Sequence, residues 1–326
     1  VFPAKRTKAI FTLESDGTGT LVETYRGFSE NTTITRCSAD DAAALLYSSG
    51  TTGKPKGIIL SHKNLSSNAN TLSKTWGFTH QDRLLHALPI YHVHGLFIAL
   101  GPVLLTGASM SWHSRFDVDS VIRSLAECTV MMGVPTYYTR MLDNNLLDPE
   151  ACKNMRVFIC GSAPLLPETF KEFEVRTGHS ILERYGMTET GINTSNPLKG
   201  KRIPGTVGQA LPGTIARIVD DTGKIVHPGE TGNLQVKGDN VFSGYWNMPE
   251  KTAEDFTSDG FFNTGDKAVI DKDRYISIVG RSKDMIISGG LNIYPREIEL
   301  VIDQIPEVIE SAVIGTADHD FGEKVV

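Results

Sequence analysis

The sequence predicts an α/β fold: layered parallel sheets with helices plus a small β-barrel subdomain, followed by the start of a smaller α+β C-terminal domain. Three observations predict it. From Ala42 to about Ile181, short apolar runs alternate with longer amphipathic stretches, the rhythm of parallel strands joined by crossover helices. After Ile181 the runs shorten, and Gly, Asp and Pro turns separate them, as in a small antiparallel sheet or barrel. After Arg281, strand, glycine turn, helix and strand follow in order and break off at Val326. The expected division is a large domain at 1–282, incomplete at its start and β-rich at about 200–282, and the truncated beginning of a second domain at 283–326.

Residues 1–40 are mixed and polar, with a turn-like "SDGTGT". "AALLY" reads as a buried strand ending in a glycine-rich loop, and "KGIIL" as a second strand. Ser61 offers an N-cap to the polar helix "HKNLSSNANTLSKTW". "RLLHAL" is a strand, "GLFIALGPVLLTG" a helix apolar nearly all round and therefore buried, and "SMSWH" a short strand. Asp117 caps the helix "DVDSVIRSLAE". "TVMMGV" is a strand stopped by Pro135, and "TYYTRMLDN" a helix. "RVFICG" is a strand, followed by the loop "SAPLLP" and the helix "ETFKEFEVRTG". Further on, "TIARIVDDTGKIV", "GNLQVKG" and "RYISIVG" are strands. In "NLQVKG", Leu234 and Val236 point one way, Gln235 and Lys237 the other. The last stretch opens with a short strand, turns at glycines, and starts a helix at Pro295.

Composition narrows the function classes. With 40% hydrophobic and 21% charged residues in 326, the chain reads as globular and able to bury a core. A formal net charge of −6 gives no global basic field for nucleic acid or anionic lipid. Cys37, Cys128, Cys152 and Cys160 are scattered without a CxxC pair, which suggests buried small hydrophobes in a reducing compartment. No stretch approaches the roughly 20 apolar residues of a membrane helix. The expected setting is cytoplasmic; because the chain begins with Val1, an organelle matrix stays open.

"SSGTTGKPKG" spans Ser48 to Gly57. It is either a phosphate grip or an idle surface turn. It is not a Walker A loop: Gly50 and Gly53 are separated by two residues, Pro55 follows Lys54, and a β-branched strand follows Gly57 where that motif opens a helix. A phosphate here would be held by loop amides in a nest, by the hydroxyls of Ser48, Ser49, Thr51 and Thr52, and by Lys54 and Lys56. Read alone, the loop decides nothing.

The segments that follow decide it. "ERYGMTETG" at 183–191, "GYWNMPEKTAEDF" at 244–256, "DGFFNTGD" at 259–266 and "VGRSKDMIISGGLNIYPREIE" at 279–299 occur in this order. Together with the loop, they resemble the AMP-forming acyl-CoA synthetases and their adenylating relatives. The resemblance covers residues from about 40 to 326. It implies ATP, Mg²⁺ and coenzyme A as co-reactants. A carboxylate attacks the α-phosphorus of ATP to give an acyl-adenylate and pyrophosphate, and a thiol then displaces AMP.

The resemblance also implies roles. The loop Ser48, Ser49, Gly50, Thr51, Thr52, Gly53, Lys54 and Lys56 would hold the β- and γ-phosphates. Thr188 would contact the α-phosphate, and Glu189 suits the magnesium bridging the phosphates; with Lys56 these are the expected catalytic residues. Asp266 would accept the ribose hydroxyls and Arg281 close the ribose from the other side. Tyr185 would offer its ring to adenine, within the stretch Glu183, Arg184, Tyr185, Gly186 and Met187. "GSAPL", with Gly161, Ser162 and Ala163, resembles the segment lining the adenine pocket. Lys283 falls at the family's interdomain hinge, and Gly289 and Gly290 at the loop that meets the thiol.

For the acid, "LPIYHVHGLF" at 88–97 lines up with the family's acyl pocket. His92 and His94 could be a metal pair on one strand face or core histidines. "MGVPTYYTR", "NTSNP" and "RIPGTVG" add a resemblance to the dicarboxylate branch of the family, the malonyl-CoA synthetases. A second substrate carboxylate needs a partner when buried, and arginine is the natural clamp. The candidates are Arg184, Arg202 and Arg140, with His94 as a further donor; Val93 and Ile192 would limit the α-substituent. Malonate or methylmalonate is the expected acid. The family's adenylating lysine would lie beyond Val326, so this polypeptide is expected to be an internal piece that adenylates poorly. Other readings stay open: a fatty-acyl, aryl or carrier-loading ligase, or a non-catalytic nucleotide-binding fragment. Oligomeric state is not legible.

Overall fold

A computed structural model describes residues 11–12, 18–26, 35–48, 55–288, 291–305, 308, 311–318 and 321–326. The expectations placed on Ser49, Gly50, Thr51, Thr52, Gly53, Lys54, Gly289 and Gly290 lie outside the described residues. The chain divides into two compact units, Val1–Ser38 and Ala39–Val326. In the first, helix α1 (Thr20–Tyr25) buries no side chain, and the Thr20 hydroxyl accepts from the Thr12 amide at 2.8 Å.

The second unit opens with two antiparallel strands, β1 (Ala42–Ser48) and β2 (Lys56–Ser61), in a register that pairs Ser48 with Lys56. Strands therefore stand on both sides of the glycine-rich segment, as expected. Ser61 ends β2 and caps α2 (His62–Thr75): its hydroxyl accepts from the Asn64 amide at 3.1 Å, and the Asn64 side chain accepts from the Ser61 amide at 2.9 Å. This reciprocal cap satisfies two helix-end donors.

A seven-stranded sheet forms the centre. In chain order come β3 (Arg83–His86), a π-helical turn at His94–Ala99, α3 (Leu100–Thr106), β4 (Ser109–Trp112), α4 (Val118–Leu125), β5 (Val130–Gly133), α5 (Pro135–Leu142), β6 (Val157–Cys160), α6 (Pro167–Thr177), β7 (Leu182–Met187), β8 (Gly191–Ser195) and β9 (Gln209–Ala210). The spatial order is β4-β3-β5-β6-β7-β8-β9. Pairing is parallel as far as β7 and antiparallel from β7 to β9. Asp117 caps α4 by accepting from the Ser120 amide. Because helices cover both faces, the central strands are apolar without alternation. Met131 and Phe158 face Val121, Tyr138 and Phe173 of α4, α5 and α6. Val130, Met132 and Ile159 face Leu72 and Trp76 at the α2 side and Val103 of α3. The helix expected to be buried all round is covered on one side only: Leu104 is 75% exposed, since none of the described residues covers α3's outer face.

The β-rich part follows as β10 (Thr214–Val219), β11 (Thr231–Gly238), β12 (Gly244–Tyr245), α7 (Pro249–Asp255), β13 (Phe262–Ile270) and β14 (Ile276–Arg281). The expected barrel is instead an open antiparallel sheet, β10-β11-β13-β14. Closure is unnecessary because its apolar face is covered by other elements: Ile58 and Leu60 of β2, Phe242 and Tyr245 join Ala216, Ile218, Leu234, Val236 and Phe262 in one core. Gln235 is buried rather than outward-facing. It accepts from Arg217 at 2.7 Å and donates to Asn263 at 2.7 Å, so its amide is satisfied. Last come β15 (Ile286–Ser288), β16 (Leu291–Ile293), α8 (Pro295–Ile302), β17 (Gly315–Asp318) and β18 (Gly322–Val325), with the strands in a sheet of order β16-β15-β18-β17. Among the described residues no helix is long and apolar enough to cross a membrane.

Candidate active site

The central sheet changes from parallel to antiparallel at β7. In open α/β sheets, ligands bind beyond the carboxyl ends of the parallel strands. A cleft of about 690 Å³ lies there. Its walls come from the segment after β3 (Tyr91, His92, Val93, His94), from Ser162 just after β6, and from the β7–β8 hairpin (Arg184, Gly186, Met187, Thr188, Glu189, Ile192). Lys56, Tyr245, Lys251, Asp255 and the stretch Phe262–Gly265 line it as well, with Arg281, Ser282 and Lys283. Residues expected from five separate segments thus meet in one space.

Arg184 is a buried cation in this cleft. Its Nε and Nη2 have no hydrogen-bond partner among the described residues. Burial pulls its pKa down to about 10, so at neutral pH it is still a cation. Gly161 makes room for it: a Cβ at that position would meet the guanidinium carbon at 2.6 Å. His94 is buried nearby, and its pKa lies well below the usual value because of burial first and the Arg184 charge second. Its Nδ1 is 3.1 Å from the Ser162 hydroxyl, while Nε2 has no partner among the described residues. A neutral ring accepting at Nδ1 carries its proton on Nε2. Ser162 itself has φ of 74°, a left-handed backbone that costs energy in a residue with a side chain.

Glu189 sits at the hairpin tip, buried, with its pKa raised chiefly by burial and opposed in part by Lys56 and Tyr245. The Tyr245 hydroxyl lies 3.4 Å from Glu189 Oε1. Lys56 Nζ stands 5.0 Å from the centre of the Tyr245 ring, within cation–π range. Lys251 pairs with Asp255 at 2.8 Å. Among the described residues no three His, Cys, Asp or Glu side chains cluster as a metal cage. A cation at Glu189 would take its other ligands from phosphate and water, which is how magnesium usually binds. Glu189, a buried carboxylate that lines the cleft, fits that chemistry.

At the other end, the Tyr185 hydroxyl donates to Asp266 Oδ2, and Arg281 Nε is 3.4 Å from Asp266 Oδ1. The β13–β14 register places Asp266 opposite Arg281. Burial raises the Asp266 pKa, while Tyr185 and Arg281 act against that rise. Glu183 does not line the cleft: its Oε1 accepts from the Leu165 amide at 3.4 Å, Oε2 has no partner among the described residues, and burial pushes its pKa up to about 8. Ala163 is exposed and is not among the cleft's lining residues.

Two expected clamps are not in the cleft. Arg202 donates to the carbonyls of Pro197, Leu198 and Ser180, which consumes its fork. Arg140 is exposed on α5 and lines no part of the site. His92 and His94 do not form a metal pair: His92 Nδ1 accepts from the His94 amide at 3.1 Å, and the chain enters a π-helical turn there instead of a strand. Tyr245, Lys251 and Asp255 had no role assigned. Their signal was present in "GYWNMPEKTAEDF", where Lys251 and Asp255 are spaced for an i, i+4 pair.

The cleft thus brings a buried cation, Arg184, and a buried carboxylate, Glu189, together beyond the carboxyl ends of the parallel strands. The family model described as AMP-binding enzyme matches residues 4–246, and the chain belongs to that family. More particularly, it is 40% identical over 307 residues to the malonate–CoA ligase of Arabidopsis thaliana, covering 88% of this chain and 50% of that protein. The crystal structure of ATP-bound MatB from Rhodopseudomonas palustris superposes with a TM-score of 0.97 at 53% identity, over 99% of this chain and 64% of that one. A malonyl-CoA ligase in ternary product complex with methylmalonyl-CoA and AMP matches with a TM-score of 0.71 at 41% identity, over 88% of this chain and 63% of that one. The chain spans about half the length of the curated relatives it matches.

Proposed function

We propose that this chain carries the nucleotide and acid sites of an ATP-dependent acid–thiol ligase, which forms an acyl-adenylate and then an acyl-CoA from malonate or methylmalonate. The observation that carries the acid assignment is Arg184: a buried cation with free donors, beside His94. A buried unpaired charge is costly, and a substrate carboxylate would satisfy it. The fork geometry of arginine favours a carboxylate, and the buried His94 lines the same cleft. Val93 and Ile192, both buried and both at the cleft wall, would leave room for a small α-substituent.

The reacting carboxylate would then point toward the α-phosphorus near Thr188. Lys56 and the glycine-rich segment would hold the outer phosphates, and Asp266 and Arg281 the ribose. Negative charge gathers at phosphorus in the transition state, so catalysis is mainly electrostatic, and one lost donor costs about 2.7–4 kcal/mol. Magnesium held by Glu189 would neutralise charge on the phosphates. Displacement of AMP by the coenzyme A thiol follows. The resemblances to malonate–CoA ligases support this reading.

The test is acid-dependent pyrophosphate release from the full-length protein with labelled ATP. Malonate or methylmalonate should support AMP formation far better than acetate or octanoate. Better use of octanoate, or ADP as product, overturns the assignment.

A further inference from the structure

Asn68 lies on α2, is 5% exposed and does not line the main cleft. Its side-chain amide makes two hydrogen bonds to one residue: Nδ2 donates to the Ile192 carbonyl at 2.9 Å, and Oδ1 accepts from the Ile192 amide at 3.1 Å. That is the pattern a neighbouring strand would supply. It is needed because β9 pairs with β8 only at Thr194 and Ser195, so β8 has no strand neighbour on that side at Ile192. The fit is close: a Cβ on Gly191, whose φ is +60°, would meet Asn68 Oδ1 at 2.6 Å. Behind the wall lies a small cavity of about 10 Å³, lined by Asn68 together with Val93, Ile98 and Gly191. The last three also line the main cleft. Val93, Ile98 and Gly191 therefore separate the cleft from this void, and Asn68, which lines the void, holds the backbone of Ile192 next to them.

We propose that Asn68 is a positioning residue that fixes Ile192 and so sets the largest α-substituent the acid can carry. The inference rests on the dicarboxylate reading above. Asn68 touches neither acid nor nucleotide; it acts by tying Ile192's backbone to α2. Removing the amide unties the strand and opens space next to the existing void. The wall then yields outward, and a bulkier substituent is accommodated.

The experiment compares the full-length protein with Asn68→Ala, using malonate, methylmalonate and ethylmalonate and following AMP formation. The kcat/KM ratio of ethylmalonate to malonate should rise about tenfold, the scale of one methylene in an apolar pocket, with the KM for ATP unchanged. The same shift should be non-additive with Ile192→Ala. An equal fall for all three acids shows a merely structural role and overturns the proposal. Should Asn68→Ala fail to fold, Asn68→Asp keeps the acceptor for the Ile192 amide and must show a smaller shift in the same direction; an unchanged ratio there overturns it too. A parent protein that uses no dicarboxylate refutes the function reading and this inference with it, whereas an active parent with an unaltered variant ratio refutes this inference alone.

Discussion

Gly161 and the guanidinium of Arg184 occupy adjoining space: a methyl group on Gly161 would sit 2.6 Å from Cζ and Nη1 and 2.8 Å from Nε. The loop after β6 thus fixes where the cleft's buried cation can lie. Gly161→Ala must push that cation aside. With a misplacement of about 1 Å costing on the order of a hundredfold, kcat/KM for malonate should fall by about that factor. Steady-state kinetics with malonate varied at saturating ATP check it. An unchanged malonate dependence would show that Arg184 is not the clamp.

Glu183 links stability to pH. Its carboxyl is protonated in the native state up to about pH 8, against an ordinary value of 4.5. Between those values the folded chain binds more protons than the unfolded one, so this group's contribution to stability decreases as pH rises through that window. The slope is at most about 1.4 kcal/mol per pH unit. Glu183→Gln removes the dependence, and should be more stable than the parent at pH 8.5 and lose less between pH 5 and 8.5. Urea unfolding at the two pH values reads both quantities.

Asp82 ties the sheet's lower edge together. It accepts from Arg156 Nε at 2.7 Å and Nη2 at 3.0 Å, from the Thr129 hydroxyl at 2.7 Å and from the Thr79 amide at 2.8 Å. Burial alone would raise its pKa, but these donors together hold it below the usual carboxylate value. Asp82→Ala strands the Arg156 charge. Breaking a buried pair costs 3–5 kcal/mol; Arg156 is 30% exposed, so a loss of about 3 kcal/mol is expected. Urea midpoints measure it, and a loss under about 1 kcal/mol would contradict the network's importance.

Tyr245 braces Glu189 and lies beneath Lys56. Groups that orient a metal ligand typically matter 10–100-fold in metal affinity. Tyr245→Phe should therefore weaken Mn²⁺ binding in the presence of ATP by about tenfold or more, read by electron paramagnetic resonance. The KM for malonate should stay unchanged, because the proposed acid clamp is Arg184 and Tyr245 contacts Glu189 and Lys56 instead.

Much of this was legible along the chain. Apolar runs such as "VMMG" and "VFIC" announced parallel strands buried on both faces, and Ser61 and Asp117 announced helix starts, because period and capping are local properties. The ordered motifs marked the family, since loop chemistry is written in contiguous residues. The open β-sheet was not legible: whether four strands close or lean on β2 depends on residues some 200 positions apart. Nor was the fate of each arginine. Arg184, Arg202 and Arg140 look alike in sequence, yet one is left with free donors in the cleft, one is consumed by three carbonyls, and one faces solvent. By itself, then, the sequence determined the elements, their order and the family's nucleotide chemistry. Only the tertiary structure decided which cation stays unpaired and what stands behind Ile192, because desolvation and close contact exist only once distant segments share the same space.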